Sequence, residues 1–145
     1  MELRRELGIG EHDLMLLSVG ELNNNKNHRV IVRAVGELRN PHIHYYIAGT
    51  GNQIEKRKAL AEELGIRDKV QFLGFRSDVA DLYQAADIFC FPSLREGLGM
   101  AALEAMSSSL PLITLNVHGI NDYNIDGVSG YKYKRQDVNG FANGI

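Results

Sequence analysis

The chain has 145 residues, 44% of them hydrophobic and 23% charged, with three prolines, one cysteine and a formal net charge of −2. That balance predicts one globular domain able to bury a real core, and it excludes a disordered or low-complexity chain. No basic field points to nucleic acid, no charged-then-apolar leader opens the sequence, and no apolar run approaches the roughly 18 residues of a membrane helix.

LMLLSVG (14–20) is a short apolar run closed by glycine and reads as a buried parallel strand. The polar loop ELNNNKNH follows, then RVIVRAVGEL (29–38), with apolar residues at helical spacing. HIHYYIAG (42–49) reads as a second strand, ended by Gly49-Thr50-Gly51. IEKRKALAEELG (54–65) is an amphipathic helix with a glycine just past its end. KVQFLG (69–74) is a third strand, and a short helix over Asp78 to Ala86 takes Ser77 as its N-cap. DIFCFPS (87–93) is a fourth strand, whose lone Cys90 reads as a buried thiol suited to a reducing, cytoplasmic setting. A helix from about Leu98, a strand over LPLITL (110–115) and another over SGYKYK (129–134) complete the chain. This alternation predicts a Rossmann-like, three-layer α/β domain: a parallel sheet of about six strands with helices on both faces.

In open α/β sheets ligands bind beyond the carboxyl ends of the strands, so chemistry is expected in the loops after each strand. REGLGMAALEAM (95–106) holds two glutamates eight positions apart, Glu96 and Glu104. A helix opening near Leu98 would surround Gly97, Leu98 and Gly99 with free N–H groups, and such an end suits a phosphate. Eight helical residues span about 12 Å, comparable to a nucleotide diphosphate with part of a sugar. A carboxylate accepts from two adjacent hydroxyls, as on a ribose. A plainer reading makes Glu96 a solvated loop charge and Glu104 a surface helix residue. The apolar neighbours Ala101, Ala102, Leu103, Ala105 and Met106 instead predict a helix buried on most sides, with a buried Glu104 that needs partners.

EGLGMAALEAM resembles the E-x7-E motif of the group 1 glycosyltransferases, retaining enzymes with the GT-B fold. VGELNNNKNH resembles that family's strand-end loop with its lysine. IAGTGNQIEKRKALAEELGIRDKVQFLGF resembles its middle segment, ADIFCFPSLREGLGMAALEAMSSSLPLIT its motif region, and HGINDYNIDGVSGY the following loop and strand. The resemblance runs from residue 14 to about residue 140. It implies that residues 1–145 form a single nucleotide-sugar-binding domain, the C-terminal half of a GT-B enzyme of capsule or exopolysaccharide type, with the acceptor domain absent from this chain.

The implied donor is a UDP-sugar, with a GDP-sugar as alternative, and the implied acceptor is a glycan or lipid-linked glycan. No metal or other cofactor is implied, and no nucleic acid. The implied location is cytoplasmic, at most peripheral to the inner face of the membrane. Carried over by position, Lys26 would neutralise the leaving diphosphate, with Gly20 opening the same loop. Glu96 would contact the transferred sugar or the phosphate region, and Glu104 would hold the ribose. Gly97 and the backbone N–H groups of Leu98, Gly99 and Met100 would cradle the distal phosphate. Gly74, Phe75 and Arg76 lie where the family places the base, although an ordinary strand-to-helix turn accounts for them equally well. Gly49 and Gly51 read either as cleft floor or as tight-turn glycines.

Two positions depart from the family. Glu21 stands where an arginine is common, removing one of two phosphate cations unless another arginine, such as Arg95 or one from the missing half, substitutes. His118-Gly119-Ile120-Asn121-Asp122 replaces G-G-x-P-E, with Asp122 the stand-in for the glutamate. GTGNQI also resembles a dinucleotide loop, but it lacks the third glycine and follows the second strand rather than the first. Besides the transferase, the same residues admit a nucleotide-sugar 2-epimerase or a non-catalytic nucleotide-binding module. On the transferase reading, the isolated domain binds donor with little or no turnover.

Overall fold

The computed structural model describes residues 2–94, 100–115, 130–133 and 145. In chain order the elements are α1 (Glu2–Glu6), β1 (Leu14–Val19), α2 (His28–Leu38), β2 (Ile43–Ala48), α3 (Ile54–Glu63), β3 (Val70–Gly74), α4 (Val79–Ala85), β4 (Ile88–Phe91), α5 (Met100–Ser107), β5 (Leu112–Leu115) and β6 (Gly130–Tyr133). They form the expected six-stranded sheet, in the order β3-β2-β1-β4-β5-β6, with every neighbouring pair parallel. The winding leaves β1 in one direction as far as β3, then returns to place β4 on the other side of β1.

Period-two alternation decides which face each strand residue serves. Leu16, Tyr45, Ile47, Cys90 and Ile113 join α2 and α3 in one core cluster. Met15, Leu17, Tyr46, Phe89, Phe91 and Leu112 join α4 and α5 in the other, with Leu3 of α1 packed against them. Both faces are covered, so the strands read as continuous apolar runs. Ser18 is the polar exception in β1. Its hydroxyl donates to the Cys90 carbonyl at 2.6 Å and accepts from the Tyr45 hydroxyl at 2.7 Å, tying β1, β2 and β4 together. Cys90 is buried, and burial pushes its thiol well above the usual range, as a structural role requires.

Three helices end in the same paired hydrogen bonds. At α3, Ile66 N–H reaches Ala61 O at 2.9 Å and Gly65 N–H reaches Glu62 O at 3.0 Å, with Gly65 left-handed at φ 73°. At α1 the left-handed residue is Gly8, and at α5 it is Ser109, with φ 64°. No sequence signal announces α1, because five residues are too few to show a period. Ser77 is not the cap of α4: Asp78 holds that position without a side-chain cap bond, its carboxylate being taken by Arg76.

At the opposite end of β1, Asp13 accepts from His42 Nδ1 at 2.8 Å, His44 Nε2 at 2.9 Å and the Gly10 N–H at 3.0 Å. These donors, His42 foremost, hold its carboxyl far below the usual carboxylate range. A depressed native value means that the stabilisation is complete above the unfolded value of about 4 and is lost as pH falls below it. Asp13→Asn should therefore flatten the acid limb of stability, measured by urea denaturation from about pH 6 to about pH 3. Ser109→Gly should raise stability by about 0.5–1 kcal/mol. It relieves a left-handed cost of about 1–2 kcal/mol and returns part of that as unfolded-state entropy. The urea midpoint should rise with an unchanged slope.

Candidate functional site

The loops that leave β1, β2 and β3 meet at the carboxyl end of the sheet. Gly20 N–H donates to Ala48 O at 2.9 Å, Leu22 N–H to Thr50 O at 2.9 Å, and Gln53 N–H to Leu22 O at 3.0 Å. The loop after β1 therefore lies directly on Gly49-Thr50-Gly51. A Cβ on Gly49 would sit 1.9 Å from Gly20 O, and one on Gly51 would sit 2.3 Å from Leu22 O. Close backbone approach, not the turn alone, is what requires these glycines.

Together the loops line a cavity of about 420 Å³ walled by Val19, Gly20 and Glu21, by Ala48, Gly49 and Thr50, and by Phe75, Arg76 and Val79. It unites five residues singled out in the sequence, Gly20, Glu21, Gly49, Phe75 and Arg76. Gly74 supports the rim by accepting the Gly49 N–H at 2.7 Å. Phe75 is 83% exposed, an aromatic face that the described residues leave open. Arg76 is already engaged, its fork donating to both Asp78 oxygens at 2.8 and 2.6 Å. That guanidinium holds the Asp78 carboxyl below its ordinary range. Glu21 is exposed and accepts from Asn23 Nδ2 at 3.0 Å, so the acidic departure lies in the cavity wall.

Lys26 lies further along the same loop, where the chain turns back over β4. Leu94 N–H donates to Asn25 O at 2.7 Å, stitching the loop after β1 to the loop after β4. Lys26 Nζ stands 5.4 Å from the centroid of the Phe91 ring. Behind it His28 is fully buried at the start of α2, and desolvation pushes its imidazole down to about 3, so it stays neutral.

On the other side of β4, Met100 opens the described part of α5 and is 59% exposed. Glu104 corrects the sequence expectation: it is exposed, not buried. α5 is apolar because Ala102 and Ala105 press on the sheet, while Glu104 falls on the outer side. It is nevertheless partnered, accepting from the Tyr83 hydroxyl at 3.1 Å. Nothing in the sequence pattern of α4 singled out Tyr83. Glu96, Gly97, Leu98 and Gly99, with Arg95, His118 and Asp122, lie outside the described residues.

A larger cavity, about 630 Å³, opens at the far end of the sheet beside Arg39, Leu64 and Gly65. Its lining, with Asn40, Pro41, Asp68 and Lys69, lies before the amino ends of β2 and β3, away from the strand ends where ligands bind in open α/β sheets. Size alone does not make it the site. Among the described residues no group of three or more His, Cys, Asp or Glu is placed to hold a metal, and no helix is long and apolar enough to cross a membrane. Gly49→Ala should cost on the order of 3 kcal/mol, because the loops after β1 and β2 must separate; urea denaturation reads the loss.

The sequence profile of the family described as Glycosyl transferases group 1 matches residues 1–145. EpsD, a putative glycosyltransferase of Bacillus subtilis (strain 168), is 37% identical over 145 residues, covering 99% of this chain and 38% of EpsD. WaaG, a glycosyltransferase involved in lipopolysaccharide biosynthesis, superposes with a TM-score of 0.88 at 30% identity, over 97% of this chain and 39% of WaaG. Anabaena HepE in complex with UDP and glucose gives a TM-score of 0.92 at 23% identity, over 98% of this chain and 40% of HepE, a likeness of fold alone. The chain spans about two fifths of the length of these proteins. Motifs, strand order and these likenesses agree: the chain belongs to the group 1 glycosyl transferases.

Proposed function

We propose that this chain is the donor-binding half of a retaining hexosyltransferase that takes a sugar from a UDP-sugar and passes it to a glycan or lipid-linked acceptor. A second domain supplies the acceptor side of the cleft. The observation that carries the reading is the meeting of four strand-end loops at the point where the winding reverses, with Lys26 over Phe91 of β4 and Glu104 on the helix that follows it. Relatives and neighbours that include an enzyme of lipopolysaccharide biosynthesis and a UDP-bound structure support the donor class and the destination.

Charge distributes the donor over the site. The Arg76 guanidinium is spent on Asp78, and Glu21 adds a negative charge, so the cavity beside Phe75 repels a diphosphate. It suits the neutral base, for which Phe75 offers a ring face. The diphosphate belongs on the Lys26 side, towards the N-terminus of α5, where Glu96, Gly97, Leu98, Gly99 and Met100 are expected to receive the sugar and distal phosphate. Glu104 takes the ribose hydroxyls. As the sugar–phosphate bond breaks, negative charge grows on the leaving diphosphate, and Lys26 and the helix N–H groups stabilise it. The sugar passes to an acceptor hydroxyl, whose proton goes to the departing diphosphate oxygen, with retention at the anomeric carbon. The isolated chain, lacking the acceptor side, binds donor and turns over little.

The same Glu21 favours a second reading, a nucleotide-binding module without transfer, which differs in showing no transfer by the whole protein.

Calorimetric titration of this chain with UDP and GDP tests the site. UDP should bind, GDP more weakly, and Glu104→Ala should weaken UDP about tenfold or more, the loss of charge-assisted hydrogen bonds. Lys26→Ala should weaken UDP more than uridine, which carries no phosphate. Unchanged UDP affinity in both variants would overturn the assignment.

A further inference from the structure

Glu104 is exposed on α5, and an exposed glutamate samples several rotamers. A side chain meant to receive two adjacent hydroxyls must be held in one of them. Within the described residues, what holds it is Tyr83. The Tyr83 hydroxyl lies 3.1 Å from Glu104 Oε2 and 3.2 Å from Ala101 O. We propose that Tyr83 is a positioning residue: it fixes the Glu104 carboxylate for the ribose hydroxyls of the nucleotide without touching the nucleotide itself. This inference rests on the donor-site reading above.

Tyr83 is suited to the task because it cannot move easily. It is 3% exposed, on the inward face of α4, and its ring meets Phe89 edge-to-face at 5.7 Å. Phe89 stacks in turn on Phe91 at 5.9 Å. The hydroxyl has one proton and two acceptors in reach, and the ionised carboxylate is the stronger of them. Burial and the neighbouring carboxylate both push the phenol well above its ordinary value, so it remains a donor at every working pH. It occupies one side of Oε2 and leaves Oε1 to accept from the ligand.

Tyr83 could instead serve packing alone, its hydroxyl satisfied by Ala101 O. The two roles separate by titrating UDP and 2′-deoxy-UDP into the wild-type chain, Tyr83→Phe, Glu104→Gln and Glu104→Ala, with the urea midpoint of each variant recorded. The wild type should prefer UDP by about tenfold, the value of one hydrogen bond to a carboxylate. Tyr83→Phe keeps the ring and should cut that preference to about two- to threefold, leaving 2′-deoxy-UDP within about twofold of wild type. Glu104→Gln should lose most of the preference, having lost the charge that both partners use. If Tyr83→Phe weakens both ligands equally, or keeps the full preference while Glu104→Ala abolishes it, the positioning role is wrong and the donor site stands. If Glu104→Ala keeps the preference, the ribose assignment itself fails and the role of Tyr83 falls with it.

Discussion

The reversal of winding between β1 and β4 is the constraint on which the rest depends. Parallel strands joined by right-handed crossovers put α2 and α3 on one face while the chain moves out to β3, and α4 and α5 on the other once it returns. The connections after β1 and β4 must then diverge to opposite faces, and a crevice opens between them. Among the described residues, the backbone bond from Leu94 to Asn25 spans it. Lys26 is carried by the first of those connections and Glu104 by the second.

Each face of the sheet has its own support at that height. On the α2/α3 face the buried Ser18 hydroxyl joins Tyr45 to the β4 backbone at Cys90. On the α4/α5 face Tyr83, Phe89 and Phe91 form a packed row, T-shaped at one step and stacked at the next. One end of the row donates to Glu104 and the other lies under Lys26. The two charges thus stand on one aromatic base.

Much of this was legible in the sequence, because apolar runs of strand length and short polar loops leave few alternatives to a parallel sheet. The tight packing of the loop after β1 on Gly49 and Gly51 was half legible: the glycines signalled a special backbone, but only the structure distinguishes close approach from a turn. Glu104 shows where pattern reading fails. Its neighbours are apolar on both sides in sequence, yet α5 buries small alanines inward and leaves the glutamate outside, so local apolarity was a poor guide to burial. Tyr83 escaped for a different reason. Its role depends on a partner 21 residues away on another helix, and no local spacing encodes that contact.

Glu21 matters because of where the fold places it. An acid among the phosphate contacts would oppose a diphosphate directly, and the site would have to compensate. Here it lies in the wall of the Phe75 cavity, accepting from Asn23. Coulomb repulsion falls with distance and with water between the charges, and this wall is open to solvent. A charge there opposes a phosphate placed in that cavity. On the donor-site reading the acid therefore acts on register: it disfavours a nucleotide bound with its phosphates where the base should be.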